Sequence, residues 1–162
     1  MTRLSYALAV LCIALFGCTK ESSETHLLPD GYTGPVVIVF RDPSGISLDT
    51  QKRERTFQLP SNGILRIKEA APPDGIVRTE FFYVGGAQGK RELPAGKGKD
   101  EFQIFAEQDG TIGSVNWTKA DGEVTMRGPG VQWTSYIVGV PSSRPDWIQL
   151  QREFVKAAVG DD

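Results

Sequence analysis

The sequence predicts a mainly β domain, an antiparallel β-sandwich or bent meander, with one C-terminal α-helix. Three observations predict it. Apolar residues alternate with polar ones at period two in several short runs between residues 56 and 126. Turn formers separate those runs, with 18 glycines and 10 prolines among 162 residues. Only the stretch after Pro145 changes to a helical period.

The body starts with Pro35-Val36-Val37-Ile38-Val39-Phe40, apolar on both faces, as in a strand covered on both sides of a sheet. Pro43-Ser44-Gly45 turns the chain into a polar stretch containing Lys52-Arg53-Glu54-Arg55, which reads as a solvated loop or edge. Phe57 and Leu59, then Leu65 and Ile67, alternate with polar neighbours on either side of Ser61-Asn62-Gly63. Asn-Gly tolerates positive φ at both positions and is a strong hairpin signal, so a hairpin is expected here. Ala71-Pro72-Pro73-Asp74-Gly75 ends that unit, and residues 80–84, with Phe81, Phe82 and Tyr83, form the next strand.

Residues 85–99 are rich in glycine and lysine and read as a loop. Gly85-Gly86-Ala87-Gln88-Gly89-Lys90 superficially suggests a phosphate-binding loop, but the spacing is one residue short. Arg91 also stands where Ser or Thr would hold magnesium. Phe102, Ile104 and Ala106 then alternate with Gln103, Phe105 and Glu107. Asp109-Gly110, Asp121-Gly122 and Gly128-Pro129-Gly130 read as turns joining strands at 102–107, 111–118, 124–126 and 131–140 into an antiparallel meander. Ser143 to Asp146 resembles a capping-box start. The helix beyond it is expected to bury Trp147, Leu150, Phe154 and Ala158, with Ile148 and Val155 beside them.

The first 20 residues carry an address rather than structure. Arg3 precedes an almost continuous apolar run, Leu4 to Phe16, too short to span a bilayer comfortably and of signal-peptide length. It ends in Leu15-Phe16-Gly17-Cys18, which resembles the lipobox of bacterial lipoproteins. Residues 1–17 are therefore expected to be removed and Cys18 to be lipidated, the membrane being the first partner through that anchor. Two or three acyl chains would hold firmly where one holds marginally. Thr19, in place of an aspartate, favours the outer membrane, facing the periplasm, in a Gram-negative cell. Lys20 to His26 is polar, and residues 18–27 read as the lipidated cysteine and a flexible tether, in which His26, the one histidine, is expected to be solvated. A single domain is expected over 28–160.

Composition narrows the chemistry. The chain is 40% apolar and 23% charged, ordinary for a globular protein, and its length supports a core without staples. Net charge is −2, and residues 1–17 carry only Arg3, so the remainder sits near −3. That balance gives no general attraction to nucleic acid. Both cysteines, Cys12 and Cys18, precede the body, which has no thiolate metal ligand and no internal disulfide. A Ser-His-Asp triad lacks a histidine in the body, and clustered calcium-loop carboxylates are absent. No catalytic, cofactor-binding or metal-binding residue is therefore assigned. The expectation is a non-catalytic module that binds another envelope protein or a cell-wall component. The alternatives are a wall hydrolase working through paired carboxylates and an accessory or inhibitory subunit of an envelope machine. Trp117, Trp133, Tyr136 and Trp147 are expected to pack the core and the helix rather than form a platform. Tyr32 is expected at the sheet edge with its hydroxyl exposed.

Leu28-Pro29-Asp30-Gly31-Tyr32-Thr33-Gly34-Pro35-Val36-Val37-Ile38 resembles the opening of a family of bacterial exported proteins classed as a domain of unknown function. Leu59-Pro60-Ser61-Asn62-Gly63-Ile64-Leu65, and Phe81-Phe82-Tyr83 ahead of Gly89-Lys90-Arg91, extend the likeness over about residues 27–95, with Tyr136-Ile137-Val138-Gly139 matching more loosely. The resemblance implies an exported protein and no activity. The strand order also resembles transthyretin-like and carboxypeptidase-regulatory-like sandwiches, a likeness of fold that carries no function.

Overall fold

The computed structural model describes residues 22–49, 54–72, 77–112, 115–118, 124–128 and 130–159. Cys12, Cys18 and the leader lie outside the described residues, as do Lys52, Arg53, the Pro73-Asp74-Gly75 turn and the Asp121-Gly122 turn.

Among the described residues, ten strands and one α-helix follow one another. The strands are β1 (Ser22–Pro29), β2 (Gly34–Phe40), β3 (Glu54–Gln58), β4 (Ile64–Arg66), β5 (Val77–Gly86), β6 (Gly89–Leu93), β7 (Gln103–Ile112), β8 (Val115–Thr118), β9 (Val124–Gly128) and β10 (Val131–Gly139). A 3₁₀ turn at Pro141–Ser143 leads to α1 (Trp147–Val159). One four-stranded sheet has the order β3-β1-β5-β6 and the other β4-β2-β10-β7, while β8 and β9 form a separate two-stranded ribbon.

The protein is mainly β with one C-terminal helix, as the sequence predicts, but both four-stranded sheets are mixed. β1 runs parallel to β3 and to β5, and β2 runs parallel to β4. Parallel neighbours arise because the chain alternates between sheets: β1, β3 and β5 lie in one, β2 and β4 in the other. Each return to a sheet follows one reversed strand in the opposite sheet, so the strands come back in the same direction.

The Asn62-Gly63 turn is where this departs most from a hairpin. Gly63 has φ +75°, as the dipeptide suggests. The strands it joins, however, go to different sheets, β3 to β1 and β4 to β2. The turn is a corner that crosses the sandwich. Apolar alternation cannot tell the two arrangements apart, since both bury the same face.

β2 is buried along its whole length, between β4 and β10. Val36, Ile38 and Phe40 face the sandwich core with Leu28, Phe57, Phe81, Tyr83, Ile104 and Val138. Val37 and Val39 face outward and pack against Val155 and Ala158 of α1. The layers are therefore sheet, sheet and helix, which accounts for β2 being apolar on both faces.

The helix is rotated from the predicted face. Trp147, Gln151, Val155 and Ala158 are its buried residues, Leu150 and Phe154 are half-buried, and Ile148 is exposed. Gln151 is drawn inward by hydrogen bonding: its Nε2 donates to Ala106 O at 2.8 Å and to Ser135 Oγ at 2.9 Å. Ala106 and Glu107 form a bulge in β7 opposite Tyr136, and Ala106 has φ +55°. A bulge leaves a ladder carbonyl unpaired, and Gln151 satisfies it. At the helix C-terminus, Arg66 Nη2 donates to Ala158 O at 2.7 Å, placing a cation where the last carbonyls lack partners.

The second half is not a meander. β7 and β10 pair directly, and the β8–β9 ribbon is inserted between them in sequence. Asp109-Gly110 is not a turn, because β7 runs through it and Gly110 stands opposite Trp133. Residues 85–99 are not simply a loop either: β5 continues to Gly86 and β6 returns antiparallel from Gly89.

Candidate functional site

The expected tether over 18–27 is corrected from Ser22 onward, and the domain begins there rather than at 28. β1 is the strand between β3 and β5, and Glu24, His26 and Leu28 point inward. His26 is 2% exposed rather than solvated. Its ring lies 4.9 Å from the rings of both Phe57 and Phe81, and Nδ1 is hydrogen-bonded to Tyr136 Oη at 3.0 Å. Glu24 Oε2 lies 3.7 Å from His26 Nε2, and neither Nε2 nor Glu24 Oε1 has a hydrogen-bond partner among the described residues. Burial raises the Tyr136 hydroxyl well above its ordinary value, with Tyr32 and Glu107 adding to the effect. This polar group is closed inside the sandwich, so it specifies packing rather than presenting a surface.

The other segments singled out by sequence meet at one end of the sandwich, where β1 ends and β2 begins. Tyr32 Oη donates to Pro35 O at 2.5 Å, so this hydroxyl is bound to backbone and not exposed as expected. Tyr83 Oη donates to Tyr32 O. Gly63 lies so close that a Cβ there would overlap the Tyr32 hydroxyl, and a Cβ on Gly86 would overlap the Asp30 carboxylate. Asp30 N donates to Val84 O at 3.0 Å. Arg91 Nη2 approaches Asp30 Oδ1 at 3.5 Å, and its guanidinium carbon lies 4.9 Å from the Tyr83 ring centroid.

Beside this knot is a cleft of about 370 Å³ lined by Gly31, Thr33, Tyr83, Arg91, Pro94 and Phe102 among others. Phe102 is 38% exposed, and its ring lies 6.3 Å from that of Tyr83. Arg91 is held over an aromatic face and keeps most of its five N–H donors for a further group. The cleft therefore offers a cation next to an apolar wall, suited to a ligand carrying an anion beside an apolar group. Glu92 also lines it, and the Asp30 carboxylate stands beside it at Arg91. A second, shallower groove of about 690 Å³ lies along the open side between β3 and β4, with Ile46, Leu59, Pro60 and Ile64 in its wall. Among the described residues its lining has no acidic side chain.

Residues 20–127 match a family of unknown function, DUF6843. The chain belongs to that family. The DUF6843 match is wider than the 27–95 stretch that carries the sequence resemblance, and runs from the approach to β1 into β9. No curated protein matches the chain. A solved crystal structure described as "Putative Lipoprotein from Bacillus anthracis" is 14% identical, covering 88% of this chain and 81% of its own, with a TM-score of 0.48.

The predicted aromatic packing is seen for three residues. Tyr136 and Trp147 are buried, and Trp133 packs against the helix-side cluster. The side chain of Trp117 lies outside the described ones. Sequence reasoning missed Phe102 and Arg91 as partners in a cleft, because they lie on a loop and on β6 and meet only through the crossing from β6 to β7. Among the described residues no three of His, Cys, Asp and Glu gather to hold a metal ion, and no helix is long and apolar enough to cross a membrane.

Proposed function

We propose that this DUF6843 protein is an envelope lipoprotein anchored through Cys18, and that it works as a non-catalytic binding module. Its partner is another envelope protein or a cell-wall component, taken at the Arg91–Phe102 cleft. The observation that carries the binding reading is the convergence of Gly31, Thr33, Tyr83, Arg91 and Phe102 on one exposed cleft, with the Arg91 guanidinium at its wall. Recognition sites of this kind combine an apolar wall with a few placed polar groups. The anchor rests on the Leu15-Phe16-Gly17-Cys18 lipobox after an apolar run of signal length.

Labelled palmitate is expected to enter the wild type and not Cys18→Ala; label retained by that variant would overturn the anchor. For the cleft, a photo-cross-linking residue is placed at Phe102 or at Ile46 in the lipidated protein in its own host. A stoichiometric partner cross-linked from position 102 and lost with Arg91→Glu is expected. Capture from position 46 alone would move the site to the side groove. Capture from neither, with purified muropeptides also failing to bind, would overturn the module reading.

A further inference from the structure

We infer that the sandwich stands directly on the bilayer that holds Cys18, on the end where β1, β3 and β5 begin, with the Arg91 cleft turned away from the lipid. This rests on the Cys18 anchor proposed above and adds what the fold does with it.

The link is short. From Cys18 to Ser22 there are four residue steps, which reach about 14 Å when fully extended. Ser22 is already in register with Val77, and Ser23 with both Glu54 and Arg78. The link cannot lengthen by peeling β1 away. β1 is hydrogen-bonded on both sides, and detaching it would expose His26 and Leu28, which are 2% and 0% exposed.

The point of entry sets the tilt. The anchor joins a strand with neighbours on both sides, so the starts of β3, β1 and β5 form a row around it. An anchor on an edge strand would let the domain lie on its side; an anchor within the sheet favours an upright stance. The opposite sheet agrees. β1 ends at Pro29 and β2 begins at Gly34, so β2 finishes at the anchor end, and Phe40 there meets Phe57 with ring centroids 6.2 Å apart. Phe40 pairs with Gln132, at the start of β10, and Gln132 pairs with Thr111, near the end of β7. The β8–β9 ribbon, which joins β7 to β10, therefore leaves from the anchor end.

The cleft is at the other end. β1 is eight residues long, so Pro29, which leads into the turn holding Gly31, stands about 23 Å from Ser22 along the strand direction. The turn between β5 and β6 and the Lys99 carbonyl, which accepts from Ser142 N, are at that end too. At the anchor end Arg78 is paired with Glu80 at 3.0 Å, and Arg55 Nη1 donates to Ala70 O. The covalent link and the place of β1 in the sheet set the stance, so it is expected already on a neutral bilayer.

The test uses the lipidated protein in phosphatidylcholine vesicles containing a nickel-chelating headgroup lipid. Glu54→Cys, Arg78→Cys, Gln88→Cys and Lys99→Cys, all exposed positions, each carry one nitroxide; the body has no cysteine of its own and the Cys18 thiol is acylated. Nickel is expected to broaden the spectra at 54 and 78 and to leave 88 and 99 at the nickel-free line width. Mass spectrometry of the N-terminal peptide is read in parallel. An unacylated N-terminus would overturn the anchor and the stance together. An acylated protein with equal broadening at all four positions, or more at 88 and 99, would overturn the stance alone.

Discussion

His26 Nδ1 and Tyr136 Oη meet at 3.0 Å across the middle of the sandwich, one from the centre of each sheet. The two side chains belong to strands 110 residues apart and tie the sheets by the one histidine the chain has. Tyr136→Phe removes one partner and leaves the imidazole nitrogen buried without the other. That should cost about 1–3 kcal/mol. His26→Leu alone should cost a similar amount. The double variant should lose less than the sum of the singles, because neither partner of the His26–Tyr136 bond is then left buried without the other, while the loss of the Glu24 contact is common to His26→Leu and the double variant. Urea unfolding of the four proteins measures this, and strictly additive losses would show that the contact carries no coupling.

Gln151 offers a second test, on the outer face of the same sheet. Its amide nitrogen reaches Ala106 O in the bulge and Ser135 Oγ in β10. Gln151→Leu keeps bulk but withdraws both donations, and should destabilise by about 1–3 kcal/mol with an unchanged urea m-value. Gln149, an exposed residue bonded to Glu153 at 2.9 Å, is the control. Gln149→Leu should stay within about 0.5 kcal/mol of wild type. Equal effects at both positions would mean that the bulge does not need its donor.

These two residues also mark where the sequence stopped being legible. β2 could be read because both of its faces are apolar, and the helix because its period is 3.6. β1 could not, since its inward positions are Glu24, His26 and Leu28, two of them polar. Their burial depends on Tyr136 and on rings from β3 and β5, which no local window contains. The helix face was misplaced by one residue for the same reason: Gln151 goes inward to serve a bulge 45 residues away. Turn chemistry found Gly63 and its positive φ but not which sheet each flanking strand joins. The cleft was the least visible part, because Arg91 and Phe102 become neighbours only after the chain crosses from β6 to β7.

Gly110 illustrates a residue whose importance was legible for a different reason from the true one. Its φ is outside the left-handed region, and it lies within β7 opposite Trp133. A Cβ at this position would overlap the Trp133 indole. Gly110→Val should therefore cost about 1–3 kcal/mol by overpacking rather than by backbone strain. Trp133→Leu in the same chain should return part of the loss, which a strained turn would not allow. Thermal unfolding of the single and double variants separates the two causes.

The tyrosines predict how the fold fails in alkali. Beyond Cys18 the chain has three, Tyr32, Tyr83 and Tyr136. Burial pushes Tyr32 up to about 12. It pushes Tyr83 to about 12 as well, with Arg91 opposing and Asp30 assisting, and lifts Tyr136 well above its ordinary value. In the unfolded chain all three release their protons near pH 10. Between about pH 10 and 12 the unfolded state therefore holds fewer protons than the folded one, and stability falls as pH rises. The contribution is complete below pH 10 and lost as pH passes the folded values. Tyrosinate absorbance should accordingly appear together with loss of the β-sheet circular dichroism signal, not before it. Tyr83→Phe, measured against its own neutral-pH stability, should show a shallower decline over that interval. Tyrosinate forming near pH 10 while the sheet signal is intact would show that these hydroxyls are not held from water as the packing of Tyr32, Tyr83 and Tyr136 requires.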